Sequence, residues 1–317
     1  MKKLTVALLS GGTSSEREVS LNGGDEVYEA LDKTKYKVKR YDPKTDLKLL
    51  LADAPQIDAA LIILHGSLGE DGSIQGLLDL LGIPYQGSKI LGSALAMNKI
   101  VSKQLYELSG LPVPPYISVK RNDSIDPEDC IKRLGLPLVV KPVKGGSSIG
   151  MSLVRSKELF EDAVDTGFSH DDTLLIEAYL KGTELTVSVI GNDELEALPI
   201  IEIIPDKKHD FFDYTAKYTA GATIEVCPAG IDDDLTQKAQ TYAKMAHRTL
   251  CCKGYSRTDM ILIDRDIYVL ETNTIPGMTS TSLLPLAAIT AGISFSQLLD
   301  KLIALSIDNH GRVKDNT

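Results

Sequence analysis

The sequence predicts a chain of three parts: a small parallel α/β sheet, then two α+β units. Three observations carry this reading. Leu4-Thr5-Val6-Ala7-Leu8-Leu9 and residues 58–64 are continuous apolar runs, the pattern of strands buried on both faces. Helical stretches alternate with these strands, as parallel sheets require. Beyond residue 88 the pattern changes to closely spaced strands, and a long hairpin spans 257–273.

Taken in order, Gly11 and Gly12 end the first strand. Ser15, with Glu18 three residues later, reads as a capping box for a helix running to about residue 31. The second strand ends at His65-Gly66. A short helix over 73–81 follows, stopped by Gly82, with a strand near Pro84-Tyr85. The first unit is set at 1–87. Residues 93–108 read as one helix, stopped by Gly110 and by Pro112, Pro114 and Pro115. Strands are expected at 116–119, 138–141, 149–154 and 173–178. Asp126-Pro127 opens a helix to residue 134, with aspartate as cap and proline in the first turn, and Ser156 opens another. This second unit spans 88–180. Lys181-Gly182 is the expected hinge into the third, 181–317. There, strands 184–190 and 195–203 flank the turn Gly191-Asn192-Asp193-Glu194. The polar and aromatic stretch 205–221 is too long for a simple connection and is expected to be functional. Asp232 caps a helix reaching residue 252. After the hairpin, helices over 282–291 and 295–307 close the unit, and 308–317 reads as a frayed polar tail.

Composition narrows the function classes. Of 317 residues, 43% are hydrophobic and 25% charged, which excludes wholesale disorder. A net charge of −10 argues against a broad nucleic-acid or anionic-membrane footprint while leaving room for a local basic pocket. No apolar run approaches bilayer length, and the stretch after Lys3 is too short for a signal-peptide core. Cys130, Cys227, Cys251 and Cys252 lack metal-type spacing and read as reduced thiols, so the expected compartment is the cytoplasm.

The hairpin is the strongest chemical signal. If its turn is the polar triplet Asp264-Arg265-Asp266, Asp259 and Glu271 face each other, with Cβ atoms roughly 4.5–5.5 Å apart. Asn273 projects from the same face as Glu271, and Arg257 from the same face as Asp259. Two carboxylates and an amide oxygen suit magnesium, which also takes phosphate and water. Two solvated carboxylates at strand ends are the alternative; the apolar residues between them, which bury the strands, favour the metal. Lys144-Gly145-Gly146-Ser147-Ser148-Ile149-Gly150 joins two strands and offers converging amides and hydroxyls for an anion, although a flexible hairpin tip has the same composition. It is not a Walker loop. Lys141 leaves a buried strand and needs an anionic partner such as a nucleotide phosphate. Taken alone, Lys99 reads more readily as a surface lysine, and Glu16 more readily as a capping carboxylate. His65 stands at the carboxyl end of a sheet strand, where ligands bind. Arg257 is placed to hold a carboxylate or an oxyanion.

Six motifs then occur in order: Gly11-Gly12-Thr13-Ser14-Ser15-Glu16-Arg17-Glu18-Val19-Ser20; Leu64-His65-Gly66 with Gly69-Glu70-Asp71-Gly72; Val140-Lys141-Pro142; Gly146-Ser147-Ser148-Ile149-Gly150; Tyr214-Thr215-Ala216-Lys217-Tyr218; and Glu271-Thr272-Asn273-Thr274-Ile275-Pro276-Gly277-Met278-Thr279. Together they resemble the D-alanine–D-alanine ligase family, in its shorter form, over about residues 3–305. The resemblance implies a three-domain ATP-grasp fold with a Rossmann-like first domain, and ATP with two magnesium (or manganese) ions as cofactors. It implies ATP-dependent joining of two D-alanine molecules through a D-alanyl phosphate, in peptidoglycan synthesis, by a cytoplasmic homodimer.

Carried over by position, the resemblance places Lys99, Lys141 and Ser148 at the phosphates. Glu177, Ala178, Tyr179 and Leu180 meet the adenine, Glu184 the ribose, and Lys217 the γ-phosphate. Asp259, Glu271 and Asn273 hold the metals. Glu16 binds the first substrate's ammonium and closes the site with Ser147 and Tyr218. Arg257 and the Gly277 amide stabilise the oxyanion; Ser282 anchors the second carboxylate, and His65 belongs to the substrate site. Two positions depart from the family pattern: Asn98 before Lys99 replaces aspartate, and Thr258 beside Asp259 replaces an aliphatic residue. Neither removes a ligand. Tyr218 favours D-alanine as acceptor; a same-fold ligase using D-lactate or D-serine is the alternative. A nucleotide-binding module without catalysis is disfavoured by the complete set of charged residues. A dinucleotide oxidoreductase is disfavoured because Gly-Gly-Thr replaces the usual glycine fingerprint.

Overall fold

The computed structural model describes residues 2–146, 149–205 and 223–314. Its first sheet comprises β1 (Leu4–Leu9), β2 (Tyr36–Tyr41) and β3 (Ala59–Ile62), all parallel in the order β2-β1-β3. Helices α1 (Arg17–Ala30) and α2 (Leu47–Asp53) connect the strands, and α3 (Ser73–Leu80) follows them. Alternate residues of β1 serve two cores. Val6 and Leu8 pack with Leu61 and Ile63 on one side; Ala7 and Leu9 pack with Ala60 and Ile62 on the other. Both faces being covered is why the strand is apolar without a break from Val6 to Leu9. Near Pro84-Tyr85 the expected strand is a single parallel bridge between Ala60 and Tyr85.

Helices α4 (Ile90–Met97) and α5 (Lys99–Leu108) lead to the second sheet. It comprises β4 (Tyr116–Lys120), β5 (Leu138–Pro142), β6 (Ser152–Val154) and β7 (Thr173–Ala178), antiparallel in the order β4-β7-β5-β6. Leu138, Val140, Leu174 and Ile176 pack against α6 (Pro127–Leu134) and α7 (Phe160–Phe168). The intervening side chains Val139, Lys141 and Glu177 therefore take the opposite face, which lines a cavity.

The third sheet is built from β8 (Thr183–Gly191), β9 (Glu196–Ala197), β10 (Ile201–Pro205), β11 (Thr223–Val226), β12 (Gly254–Ile263) and β13 (Asp266–Asn273). Its order is β11-β10-β8-β12-β13, with β9 beside β8. Leu185, Val187, Val189 and Met260 cover one face against α8 (Asp233–Thr249). Glu184, Thr186, Arg257 and Asp259 share the other face. Helices α9 (Leu283–Thr290) and α10 (Phe295–Lys314) complete the chain, and their Leu284, Leu298 and Leu302 join the core beneath β1. Among the described residues no single helix is long and apolar enough to cross a membrane.

Several expectations need correction. The helix expected over 93–108 is two helices, because Asn98 adopts an extended backbone and its Oδ1 accepts from Val101 N at 3.1 Å, capping α5. The capping box does not form. Glu16, not Ser15, precedes α1, and its side chain makes no cap bond. The loop is fixed by tertiary bonds instead: Ser20 Oγ accepts from Gly11 N (2.8 Å) and donates to Ile63 O (2.5 Å). The strand expected at 149–154 is confined to β6, and the one at 195–203 splits into β9 and β10 around Pro199, which has no N–H for the ladder. Residues 308–314, expected as tail, continue α10. β2, α2 and β11 have no counterpart among the expected elements. Beyond Pro205, the expected functional loop 205–221 lies outside the described residues.

Candidate active site

The hairpin sets the site. Asp259 pairs with Glu271 and Arg257 with Asn273 across β12 and β13, as expected, but by a different route. Ile263 pairs with Asp266, so the turn is the two residues Asp264-Arg265 rather than a triplet, with Asp264 at φ 53°. A bulge between Asp259 and Met260 then shifts the register by one residue. The two deviations cancel at the carboxylates.

Two cavities flank this hairpin. The smaller, about 160 Å³, lies between the second and third sheets. Lys141 and Glu177 line one wall, Glu184 and Asp259 the other, and Ala178, Tyr179 and Leu180 extend the first wall past β7. The larger, about 720 Å³, opens at the carboxyl ends of the first sheet, where Glu16, His65 and Glu70 face Arg257, Asn273 and Ser282. Lys99, Gly145, Gly146 and Glu271 belong to the walls of both. The structure thus brings together every sequence-derived site residue within the described set. Ser147, Ser148, Lys217 and Tyr218 lie outside the described residues.

Glycines let the loops close on Glu16. A Cβ on Gly66, whose φ is +69°, would stand 3.2 Å from the Glu16 carboxylate, and one on Gly146 would stand 3.1 Å from it. Glu16 itself is 6% exposed and faces the larger cavity instead of capping α1. Burial lowers the His65 pKa against the opposing pull of Glu16. Burial also pushes the Glu70 carboxyl up to about 8, although its Oε2 accepts from Gly66 N at 2.6 Å. Gly277 is pressed against Ser282, whose Oγ accepts from Thr279 N at 3.1 Å.

On the side of the smaller cavity, Lys99 occupies the first position of α5, and its Nζ donates to Gly145 O at 2.6 Å. The anionic partner required by Lys141 is Glu177 within this chain. Glu177 also meets Lys103, 2.7 Å away at an angle suited to an ion pair rather than a directed hydrogen bond. Burial works to raise the Glu177 pKa, and the two ammonium groups more than reverse it. Sequence reasoning missed Lys103, because a lysine in a mixed helix carries no local signal that a distant carboxylate meets it. It also assigned no role to Glu70, although Glu70 lies within a quoted motif.

Arg257 grips Asp259 in two bonds, Nε to Oδ1 (2.9 Å) and Nη2 to Oδ2 (2.8 Å), and Thr186 Oγ1 donates to Oδ1 (2.6 Å). A carboxylate offers about four acceptor directions, so room for a cation persists. Asp259, Glu271 and Asn273 are hard oxygen donors on one face, which fits magnesium. Among the described residues no three His, Cys, Asp or Glu side chains converge as a metal site by themselves. Asp259, Glu271 and Asn273 would therefore fill only part of a magnesium shell, with phosphate and water left to supply the rest.

Comparison with known proteins bears directly on this geometry. Residues 43–88 match the family described as D-ala D-ala ligase N-terminus, and 105–304 the family described as D-ala D-ala ligase C-terminus. A D-alanine–D-alanine ligase of Syntrophobacter fumaroxidans is 61% identical over 308 residues, covering 97% of this chain and 99% of the relative. The crystal structure of the Bacillus anthracis D-alanine–D-alanine ligase complexed with ATP superposes with a TM-score of 0.86 at 36% identity, covering 98% of this chain and 99% of that one. The VanG D-Ala:D-Ser ligase of Enterococcus faecalis superposes at 0.82 with 32% identity, covering 96% of this chain and 100% of that one. With its ATP-grasp architecture and these matches over nearly its whole length, the chain belongs to the D-alanine–D-alanine ligase family.

Proposed function

We propose that this protein joins two D-alanine molecules into D-alanyl-D-alanine, converting ATP to ADP and phosphate, and so supplies a peptidoglycan precursor. The observation that carries the reading is the sharing of Glu271, Lys99 and the Gly145-Gly146 loop between the two cavities. A nucleotide in the smaller cavity and an amino acid in the larger would have their reacting groups meet at that wall.

In this reading the first D-alanine carboxylate attacks the γ-phosphorus and ADP departs, leaving an acyl phosphate. The second D-alanine's amine attacks the acyl carbon, phosphate leaves, and the amine sheds its proton as the peptide bond forms. Lys99 and Lys141 hold the phosphates, Ala178 to Leu180 border the adenine, and Glu184 takes the ribose. Glu16 takes the first ammonium, with His65 beside it. Arg257 and the Gly277 amide face the developing oxyanion, where positioned donors contribute most to acyl and phosphoryl transfer. Ser282 anchors the second carboxylate. Magnesium held by Asp259, Glu271 and Asn273 would neutralise phosphate charge. Ser147, Ser148, Lys217 and Tyr218 complete the closed site in this proposal. The acyl phosphate needs shelter from water, which the loops around residues 145 and 205–221 would give.

The division into units 1–87, 88–180 and 181–317, a homodimeric state and a cytoplasmic location belong to the same proposal. Light scattering on the purified protein tests the dimer. D-Serine or D-lactate as acceptor is the second reading, favoured by the likeness to the D-Ala:D-Ser ligase of Enterococcus faecalis. ADP release measured with D-alanine against L-alanine tests the activity; chromatography of products formed with competing D-serine and D-lactate tests the acceptor. Absence of D-alanyl-D-alanine would overturn the first reading.

A further inference from the structure

Glu177 has two lysine partners, and they are not equivalent. Lys141 lies on β5 beside β7, is 12% exposed, and lines the smaller cavity. Lys103 lies on α5, is fully buried, and belongs to neither cavity wall. Burying an ammonium costs several kcal/mol unless it is well paired. Lys141 alone would already neutralise Glu177, so a second buried lysine is an expense that the fold does not require.

Counting charge gives it a purpose. One carboxylate with Lys141 alone is a neutral pair, and a neutral pair offers little attraction to phosphate. With Lys103 added the cluster carries a net +1, and of the two lysines it is Lys141 that faces the cavity, beside Glu177. We infer that Lys103 is a positioning residue for ATP: it neutralises Glu177 from behind, so that the charge of Lys141 is left for the nucleotide phosphates. This rests on the nucleotide reading above and adds a residue that touches no substrate. The Tyr116 ring, 5.8 Å from Lys103 Nζ, adds a cation–π contact that helps hold the ammonium in place.

The test compares wild type, Lys103→Met and Lys103→Met/Glu177→Gln by calorimetry with ATP, ADP and adenosine, and by steady-state kinetics. Lys103→Met should weaken ATP and ADP binding on the order of tenfold and raise the KM for ATP similarly, with kcat changed much less. Adenosine binding should stay within about twofold, because it carries no phosphate. The double variant removes the carboxylate charge together with its counter-ion while the glutamine amide keeps an acceptor toward the adenine, so ATP affinity measured relative to adenosine should recover most of the loss. Equal losses for ATP and adenosine, or a double variant no better than Lys103→Met, would show a packing role and overturn the inference. If Lys103→Met does not fold, the double variant carries the test, since the one lysine it leaves without a carboxylate, Lys141, reaches the cavity. ATP affinity there reduced tenfold with adenosine unchanged would then refute the idea. Failure of the wild type to bind ATP would instead refute the nucleotide reading itself.

Discussion

Glu70 gives the site a proton that can be weighed. Its carboxyl is enclosed by the first sheet's loops, and burial raises its pKa from an ordinary 4.5 to about 8. The folded protein therefore keeps a proton that the unfolded chain releases above pH 4.5, and stability falls as pH rises through that interval. At full slope one proton is worth about 1.4 kcal/mol per pH unit, so the rise from pH 6 to the folded value near 8 costs about 2.7 kcal/mol, with little further loss above it. Glu70→Gln keeps the shape and an acceptor for Gly66 N but does not titrate. Urea unfolding of both proteins at pH 6, 7, 8 and 9, without nucleotide or magnesium, reports on the Glu70 pocket, because titrations remote from it cancel in the difference. The variant should gain on the wild type by about 2–3 kcal/mol between pH 6 and 9. A difference that stays flat within about 0.5 kcal/mol would mean that Glu70 is ionised throughout, and the argument from burial would fail. In the proposed reading the consequence is electrostatic: a neutral Glu70 adds no negative charge to the cavity in which Glu16 would meet a substrate ammonium.

Other consequences are equally checkable. Glu271→Gln should lower turnover with magnesium-ATP by about a hundredfold or more while leaving the circular dichroism spectrum unchanged; near-normal kcat would contradict the metal assignment. His247, buried with Nδ1 2.8 Å from Ser256 Oγ, has its pKa lowered to about 4 by burial. Its contribution is complete above the ordinary 6.5 and is lost as pH falls, by about 3 kcal/mol at pH 4, so His247→Gln should flatten acid unfolding over that range. Gly11→Ala would place a methyl 2.8 Å from the Asp42 carboxyl at a φ of +94°, displacing the bonds that Asp42 accepts from Gly12 N and Arg17. We expect a loss of about 2–3 kcal/mol in urea unfolding; an unchanged midpoint would show that the loop adjusts freely.

What was legible in the sequence follows the strength of the local signal. β1 and β3 announced themselves because both faces are buried from Val6 to Leu9 and along Ala59–Ile62, leaving runs of apolar residues. β2, at the sheet edge, interleaves Lys37 and Lys39 with Tyr36 and Val38, so tertiary pairing to β1 decides what its composition does not. The break at Asn98 was hidden because asparagine is tolerated inside helices as well as at their starts; only its bond to Val101 N separates the two cases. Lys103 was invisible for a related reason. A lysine in a mixed helix reads as solvated, and nothing local reveals that Glu177, far along the chain, lies 2.7 Å away. The carboxylate pair was found through an assumption of symmetry that the turn breaks and the bulge restores.

That bulge matters beyond register. Without it, the two-residue turn would set Glu271 opposite Thr258 rather than Asp259, and strand alternation would carry one of the two carboxylates to the face packed against α8. That face is apolar, and an unpaired carboxylate there would cost several kcal/mol or stay protonated. The extra residue, Leu270, keeps Met260 and Val269 in the core while Asp259 and Glu271 stay together on the cavity side. Glu271 then stands where the two cavities share a wall, with Asn273 one pleat further along on the side of the larger. The irregularity in the ladder thus lets one strand seal the hydrophobic core and present its oxygens to both cavities.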